Sequence, residues 1–391
     1  MGEQPLYDLA PLLELMALGA VIALGPLLWV WYRNRGAGSA RRLQALGLLT
    51  LFLTFDLVMF GAFTRLTDSG LGCPDWPGCY GSASPLGAST EIAAAEAAMP
   101  TGPVTVSKAW VEMIHRYLAT MVGVLIIALT LLAWRAHRKA PLHGARHPAW
   151  ASFTLFWVLV QGAFGALTVT MKLFPAIVTL HLIGGLLLLV LLCVQAVGHQ
   201  QAVLGQQPHS ISPALRAGLW GVFVLIFAQV ALGGWVSTNY AVLACSTFPD
   251  CNGSWWPTMD FAQGFEIWRP LGQLSDGSYI GFSALTAIHY THRLAAYAVI
   301  VGIVWLVYAL RHQTALTSQR RWLLGLTALQ FLTGLSNVVL DWPLVAAVLH
   351  TGGAAALVTV MTWALAATQT RSAQALQPDT DAHPSARSVA A

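Results

Sequence analysis

Charge is scarce in this chain. Asp, Glu, Lys and Arg together make up 9% of its 391 residues, against about 25% in a soluble domain. Hydrophobic residues reach 56%. That balance excludes a soluble globular protein, a disordered chain and a nucleic-acid binder. Period-2 alternation is also missing, which excludes a membrane β-barrel. The first residues are acidic (Glu3, Asp8) rather than basic, so no cleavable signal peptide is expected. Cysteine is sparse, at five, but its placement carries information.

Long apolar runs are what the chain has instead. A spanning helix needs roughly 20 apolar residues. Nine such runs are predicted, at about 11–32, 43–64, 109–134, 149–171, 175–198, 214–236, 285–311, 321–340 and 344–368. Sixteen tryptophans suit the membrane interfaces. Basic residues set the expected orientation: Arg33, Arg35, Arg41, Arg42, Arg135, Arg138, Lys139, Arg146, Arg216, Arg311, Arg320, Arg321 and Arg371 fall in alternate connections. By the positive-inside rule the N-terminus lies outside and the C-terminus inside. Two long loops, about 65–108 and 237–284, then face outward, and the tail from about Gln374 reads as disordered.

An internal repeat organises the rest. Spans 2–5 and 6–9 are two copies of one four-helix unit. Cys73 and Cys79 precede His115–Arg116, and Cys245 and Cys251 precede His292–Arg293. Gln161, Gly165, Pro175 and His181 are matched by Gln330, Gly334, Pro343 and His350. The expected fold is an all-α polytopic membrane protein: two pseudo-symmetric four-helix bundles plus one extra N-terminal helix. Its divisions are 1–42 for that helix, 43–200 and 201–370 for the repeats, and 371–391 for the tail.

Seven of the twelve histidines (His137, His143, His147, His199, His209, His312 and His383) read as solvated surface groups. The other five, His115, His181, His289, His292 and His350, lie inside apolar spans, where an ionisable group is costly and usually functional. His115, His181, His292 and His350 share one expected layer, roughly 10 Å below the outer surface. Two imidazoles facing each other in a four-helix bundle can ligate a haem iron from both sides. The glycine pairs Gly184–Gly185 and Gly352–Gly353 are small enough to let a flat macrocycle approach. Zinc would want three or four ligands in one cluster, which fits two separate pairs poorly. No C-x-x-C-H is present, so covalent haem attachment is not supported.

Each outer-loop cysteine pair is most simply a disulfide, with a redox-active role as the alternative. The repeats differ at one position. Glu112 lies three residues before His115, whereas His289 lies three before His292. A carboxylate beside one haem suggests proton transfer or charge stabilisation there; pairing with Arg65 or Arg116 is the plainer alternative. Arg65, Arg116 and Arg293 could meet haem propionates or simply anchor the interface. Asp56 has no assignable role, and none is given to Asn239, Thr64 or Thr238. No nucleotide or flavin fingerprint is present, so reducing equivalents must come from a partner.

Together these stretches resemble the haem A synthase family: 61–79 (GAFTRLTDSGLGCPDWPGC), 112–116 (EMIHR), 161–169 (QGAFGALTV), 181–185 (HLIGG), 233–245 (GGWVSTNYAVLAC), 292–297 (HRLAAY) and His350. The resemblance implies eight helices in two bundles and oxidation of the C8 methyl of haem O to a formyl group, through two successive hydroxylations. The product is haem A for terminal oxidases. It further implies that His115 and His181 flank the substrate haem, with Glu112 as the catalytic carboxylate. His292 and His350 would ligate haem b, and Cys73–Cys79 and Cys245–Cys251 would be the paired loop cysteines. A bacterial inner-membrane location follows, with an unidentified electron donor and with haem O synthase and oxidase assembly factors as candidate partners. The extra first helix and His289 depart from the family pattern. The competing reading is a bis-histidine dihaem cytochrome b. It is disfavoured by the shared layer of histidines, because transmembrane electron carriers stack their haems toward opposite faces.

Overall fold

The computed structural model describes residues 10–139 and 145–370. The predicted tail at 371–391, Arg371, His143 and His383 lie outside the described residues. Eleven α-helices run in order: α1 (Ala10–Arg33), α2 (Ser39–Leu66), α3 (Ser89–Ala98), α4 (Val106–Lys139), α5 (Ala149–Thr170), α6 (Pro175–Leu204), α7 (Pro213–Thr238), α8 (Phe261–Gly264), α9 (Phe282–Ala309), α10 (Thr317–Val339) and α11 (Leu344–Ala366). Among the described residues, nine helices are long and apolar enough to cross a membrane. The protein is a multi-pass membrane protein, and all nine predicted spans are present.

Local chemistry sets the helix ends. Proline stands at the start of α6 and α7, where its missing N–H costs nothing. The Ser212 side chain caps α7 by accepting from Leu215 N at 3.3 Å. Gly205 closes α6 in the left-handed region, φ +63°. Large apolar side chains such as Trp29, Phe52, Leu131 and Val301 stay exposed on the outward faces, as a lipid-facing surface requires.

Two bundles result. In the first, α2, α4, α5 and α6 pack in a ring; α7, α9, α10 and α11 do the same in the second. The first is filled by Leu46, Val122, Leu125, Ile126 and Leu192, and the second by Leu219, Ile303, Leu306, Val358 and Met361. Helix α6 divides its faces between them, giving Leu188 and Leu192 to one core and Leu186 and Leu189 to the other. The bundles meet where α6 touches α7 and α11 and where α2 touches α11. Helix α1 packs on α4. There Gly19 lies so close to Thr120 that an added Cβ would come within 2.5 Å of its methyl.

The repeat extends to backbone detail. Left-handed φ values recur at Asp68 and Tyr240, at Tyr80 and Asn252, and at Gly81 and Gly253. The Trp76–Pro77 and Phe248–Pro249 peptides are both cis. The ends of α2 and α7 that lead into the disulfide loops join the bundles. Arg65 Nη2 donates to Ser237 O at 2.6 Å, and the Tyr240 hydroxyl donates to Asp68 Oδ1 at 2.7 Å, each pair 172 residues apart. Arg65 also lies 4.1 Å from the centre of the Tyr240 ring.

Three features were not expected. Helix α3 forms inside the first long loop, seats Ile92 on Ala109 and Met113, and has Glu91 in its first turn. A two-stranded parallel ladder pairs β1 (His209–Ile211) with β2 (Thr368–Thr370) at the face opposite the disulfides. His199, expected to be solvated, is buried, at 3% exposure; the end of α6 is covered rather than free.

Candidate functional site

Four histidines stand on four different spanning helices, two in each bundle. His115 is on α4, His181 on α6, His292 on α9 and His350 on α11. Counted from the helix starts, they lie about 14, 9, 15 and 9 Å in. The first and third lie deeper than expected because α4 and α9 begin three residues earlier than the apolar runs suggested.

Each ring rests against a glycine of a neighbouring helix. A Cβ on Gly61, Gly165, Gly233 or Gly334 would sit 3.1, 3.6, 2.9 or 3.2 Å from Cε1 of His115, His181, His292 or His350 respectively. These glycines give the imidazoles their room. The predicted role of the glycine pairs is corrected here. The space over Gly184 is filled by the Gln161 amide, and that over Gly353 by the Gln330 amide. Gly352 lies against Met59, so neither pair forms an open shelf for a macrocycle.

The four rings are half-buried, and among the described residues no protein group bonds the Nε2 of any of them. Such a nitrogen is what a haem iron needs. One pair per bundle fits one iron per bundle. Among the described residues there is no group of three or more His, Cys, Asp or Glu that could hold a metal ion.

The Nδ1 edges differ between the bundles. Thr333 Oγ1 lies 2.9 Å from His350 Nδ1, and the Gln229 amide lies 3.0 Å from His292 Nδ1. Gln330 donates to His350 O at 2.8 Å. In the first bundle, Nδ1 of both His115 and His181 is buried without a hydrogen-bond partner; Phe60 lies parallel to His115 with centroids 6.2 Å apart. Gln229 and Thr333 were missed in the sequence. Gln229 had a signal, as a polar residue within an apolar span; Thr333 had none beyond lying next to Gly334.

The loops close over the sites by the same device in each repeat. Disulfides join Cys73 to Cys79 and Cys245 to Cys251, with Cα–Cα distances of 4.9 and 4.8 Å. Arg116 donates to Gly78 O at 2.5 Å and to Pro77 O and Asp75 O at 3.1 Å each. Arg293 donates to Asp250 O at 2.6 Å, Thr247 O at 2.8 Å and Cys245 O at 3.3 Å. Both guanidinium groups therefore bind loop carbonyls. Backbone carbonyls turned inward by the disulfide turn need donors, and an arginine one residue after the histidine supplies them.

Glu112 is buried, at 4% exposure. It accepts from Arg116 at 2.6 Å and from Cys73 N at 2.8 Å, so the plainer pairing is present. In the second repeat His289 takes this place, with Nδ1 3.0 Å from Ala241 O. That tie to the loop leaves His292 as the ring open to a ligand. Arg65 is occupied at the bundle seam. Asn239 accepts from Arg269, a fully buried loop arginine that also donates to Gln273 O at 3.3 Å. Burial pushes the Arg269 guanidinium below its usual range, with Glu266 opposing. Asp56 stays on an exposed stretch of α2 and gains no role.

The chain is similar to known proteins over most of its length. Residues 44–362 match the family model COX15-CtaA, described as cytochrome oxidase assembly protein; α1 lies outside the matched residues. A haem A synthase of Shewanella oneidensis is 37% identical over 316 residues, covering 80% of this chain and 92% of that protein. A haem A synthase of Cereibacter sphaeroides is 29% identical, covering 85% and 88%. One of Halalkalibacterium halodurans is 24% identical, covering 79% and 91%.

Proposed function

The chain belongs to the cytochrome oxidase assembly family that contains these haem A synthases, and from that premise we propose that it oxidises the C8 methyl of haem O to the formyl group of haem A. It is an enzyme of haem A synthesis, and the dihaem electron-carrier reading finds no support in its relatives. The first bundle takes haem O between His115 and His181. The second holds a haem b on His292 and His350. When bound, haem b supplies one-electron redox chemistry. The residues of the chain orient, enclose and handle protons.

One observation carries the assignment: a matched pair of histidines inside the spans of each bundle, with a carboxylate one turn from the first pair's His115 and none at the same place in the second. Arg116 and the Cys73 N–H hold Glu112 at its position. Its carboxylate exchanges a proton on the substrate side as the methyl is oxidised. The disulfide loops cap both sites and exclude water. The protein lies in the bacterial inner membrane with the disulfide face toward the periplasm and the C-terminus in the cytoplasm. The alternate basic connections and the oxidising compartment that disulfides need support this orientation. Electrons reach the second bundle from a separate donor. Haem O synthase is the natural source of substrate, and oxidase assembly factors are the natural acceptors of product.

Expression in cells that make haem O but no haem A tests the reading by pigment extraction. Haem A is expected with the native chain and not with His115→Ala. Glu112→Gln is expected to cut conversion by about 10²- to 10⁴-fold while haem b is retained. Native-rate conversion by Glu112→Gln would remove the carboxylate from the mechanism.

A further inference from the structure

The two bundles share one histidine–glycine architecture but support their rings differently. The register that pairs Gly61 with Gly233 puts Leu57 where Gln229 stands. The register that pairs Gly165 with Gly334 puts Phe164 where Thr333 stands. Leu57 and Phe164 have no side-chain atom that can hydrogen-bond, and this accounts for the partnerless Nδ1 atoms of His115 and His181.

Thr333 also fixes a tautomer. A hydroxyl has one proton, and Thr333 donates it to the Leu329 carbonyl at 2.8 Å, shared with Gln330 O at 3.3 Å. At 2.9 Å from Nδ1 it can therefore only accept. His350 then carries its proton on Nδ1 and presents a bare lone pair on Nε2. The Gln229 amide sits equally close to His292 Nδ1, and its Oε1 has no other partner. The same amide nitrogen donates to His292 O at 3.0 Å, so Gln229 grips both the ring edge and the backbone of His292 and clamps the ring's rotation.

We propose that Gln229 and Thr333 are positioning residues that make the second bundle a permanent haem site, and that Leu57 and Phe164 keep the first bundle's rings unanchored so that its haem can be exchanged. A partner at Nδ1 fixes the ring's rotation, and the acceptor that Thr333 supplies also strengthens the imidazole as a ligand. A site that must release its product after each turnover gains from lacking that support. The proposal rests on the haem reading above, and the test separates the two.

The full-length protein is purified and its haem b followed by transfer to an apoglobin scavenger and by redox titration. Thr333→Val and Gln229→Leu are each expected to weaken haem b retention about tenfold or more, and Thr333→Val also to raise its midpoint potential. Thr333→Ser, which keeps the acceptor, should behave as the native chain. The reciprocal pair Leu57→Gln with Phe164→Thr should slow loss of haem O or haem A from the first bundle. Native retention and potential in both Thr333→Val and Gln229→Leu would overturn this inference and leave the assignment standing. A native protein carrying no b-type haem would overturn the assignment itself and this inference with it.

Discussion

The two bundles place the same histidines, glycines, disulfides and loop-binding arginines at matched positions. They differ in the few side chains around that frame. The first has an acid, Glu112, where the second has His289, and it has Leu57 and Phe164 where the second has Gln229 and Thr333. One bundle thus gains a charge near its ring and loses the ring supports; the other does the reverse. On the proposed reading, those three positions separate a substrate site from the site of a resident group.

The sharpest break of this comparison is expected at the ligands. His292→Ala or His350→Ala should abolish bound haem b, whereas His115→Ala or His181→Ala should keep haem b and lose haem A formation. Pyridine haemochrome spectra of the purified variants distinguish these outcomes, and equal loss from all four would end the division of roles. Next in size is the arginine pair. Arg116→Ala strands the buried Glu112 carboxylate and should cost about 3–5 kcal/mol. Arg293→Ala leaves only carbonyls unsatisfied and should cost about 1–3 kcal/mol. Thermal unfolding in detergent measures both, and an Arg293→Ala loss as large as that of Arg116→Ala would contradict the asymmetry.

Opening a disulfide should matter less. Paired Cys73→Ser and Cys79→Ser, or Cys245→Ser and Cys251→Ser, should each remove about 2 kcal/mol. Only the first pair should also lower haem A formation, because Glu112 accepts from Cys73 N. Conversion rates of the two double variants settle that point. The smallest effect is expected at the helix outside the repeat. Gly19→Val should push α1 off Thr120 without changing haem b content, as read by crosslinking of α1 to α4 beside the spectrum.

Much of this was legible in the sequence for reasons that belong to the membrane. A spanning helix cannot hide its length, so all nine runs could be read. A histidine in an apolar span stands out because its burial is costly, which is why His115, His181, His292 and His350 could be named. What failed depends on rotation and on partners distant in the chain. Position leaves Arg116 and Arg293 open to a propionate or to the interface, and only the folded loop shows their guanidinium groups turned to its carbonyls. Gly184 and Gly353 read as open surface until Gln161 and Gln330 are seen to fill them. The strands β1 and β2 are three residues each, too short to leave a periodic signal, and His199 lies at a helix end whose cover is invisible along the sequence.

The contact between Arg65 and Ser237, with Asp68 and Tyr240 beside it, joins positions that correspond to each other in the two copies. In a symmetric pair of identical chains such an interface sets each residue against its own counterpart. An ancestor with Arg at that place would have brought two guanidinium groups face to face, and one with Asp at the neighbouring place two carboxylates. The seam works because each position now holds a charge on one side and an uncharged partner on the other. A single chain carrying both halves permits that, whereas two identical chains meeting at the same place would have to repeat each charge.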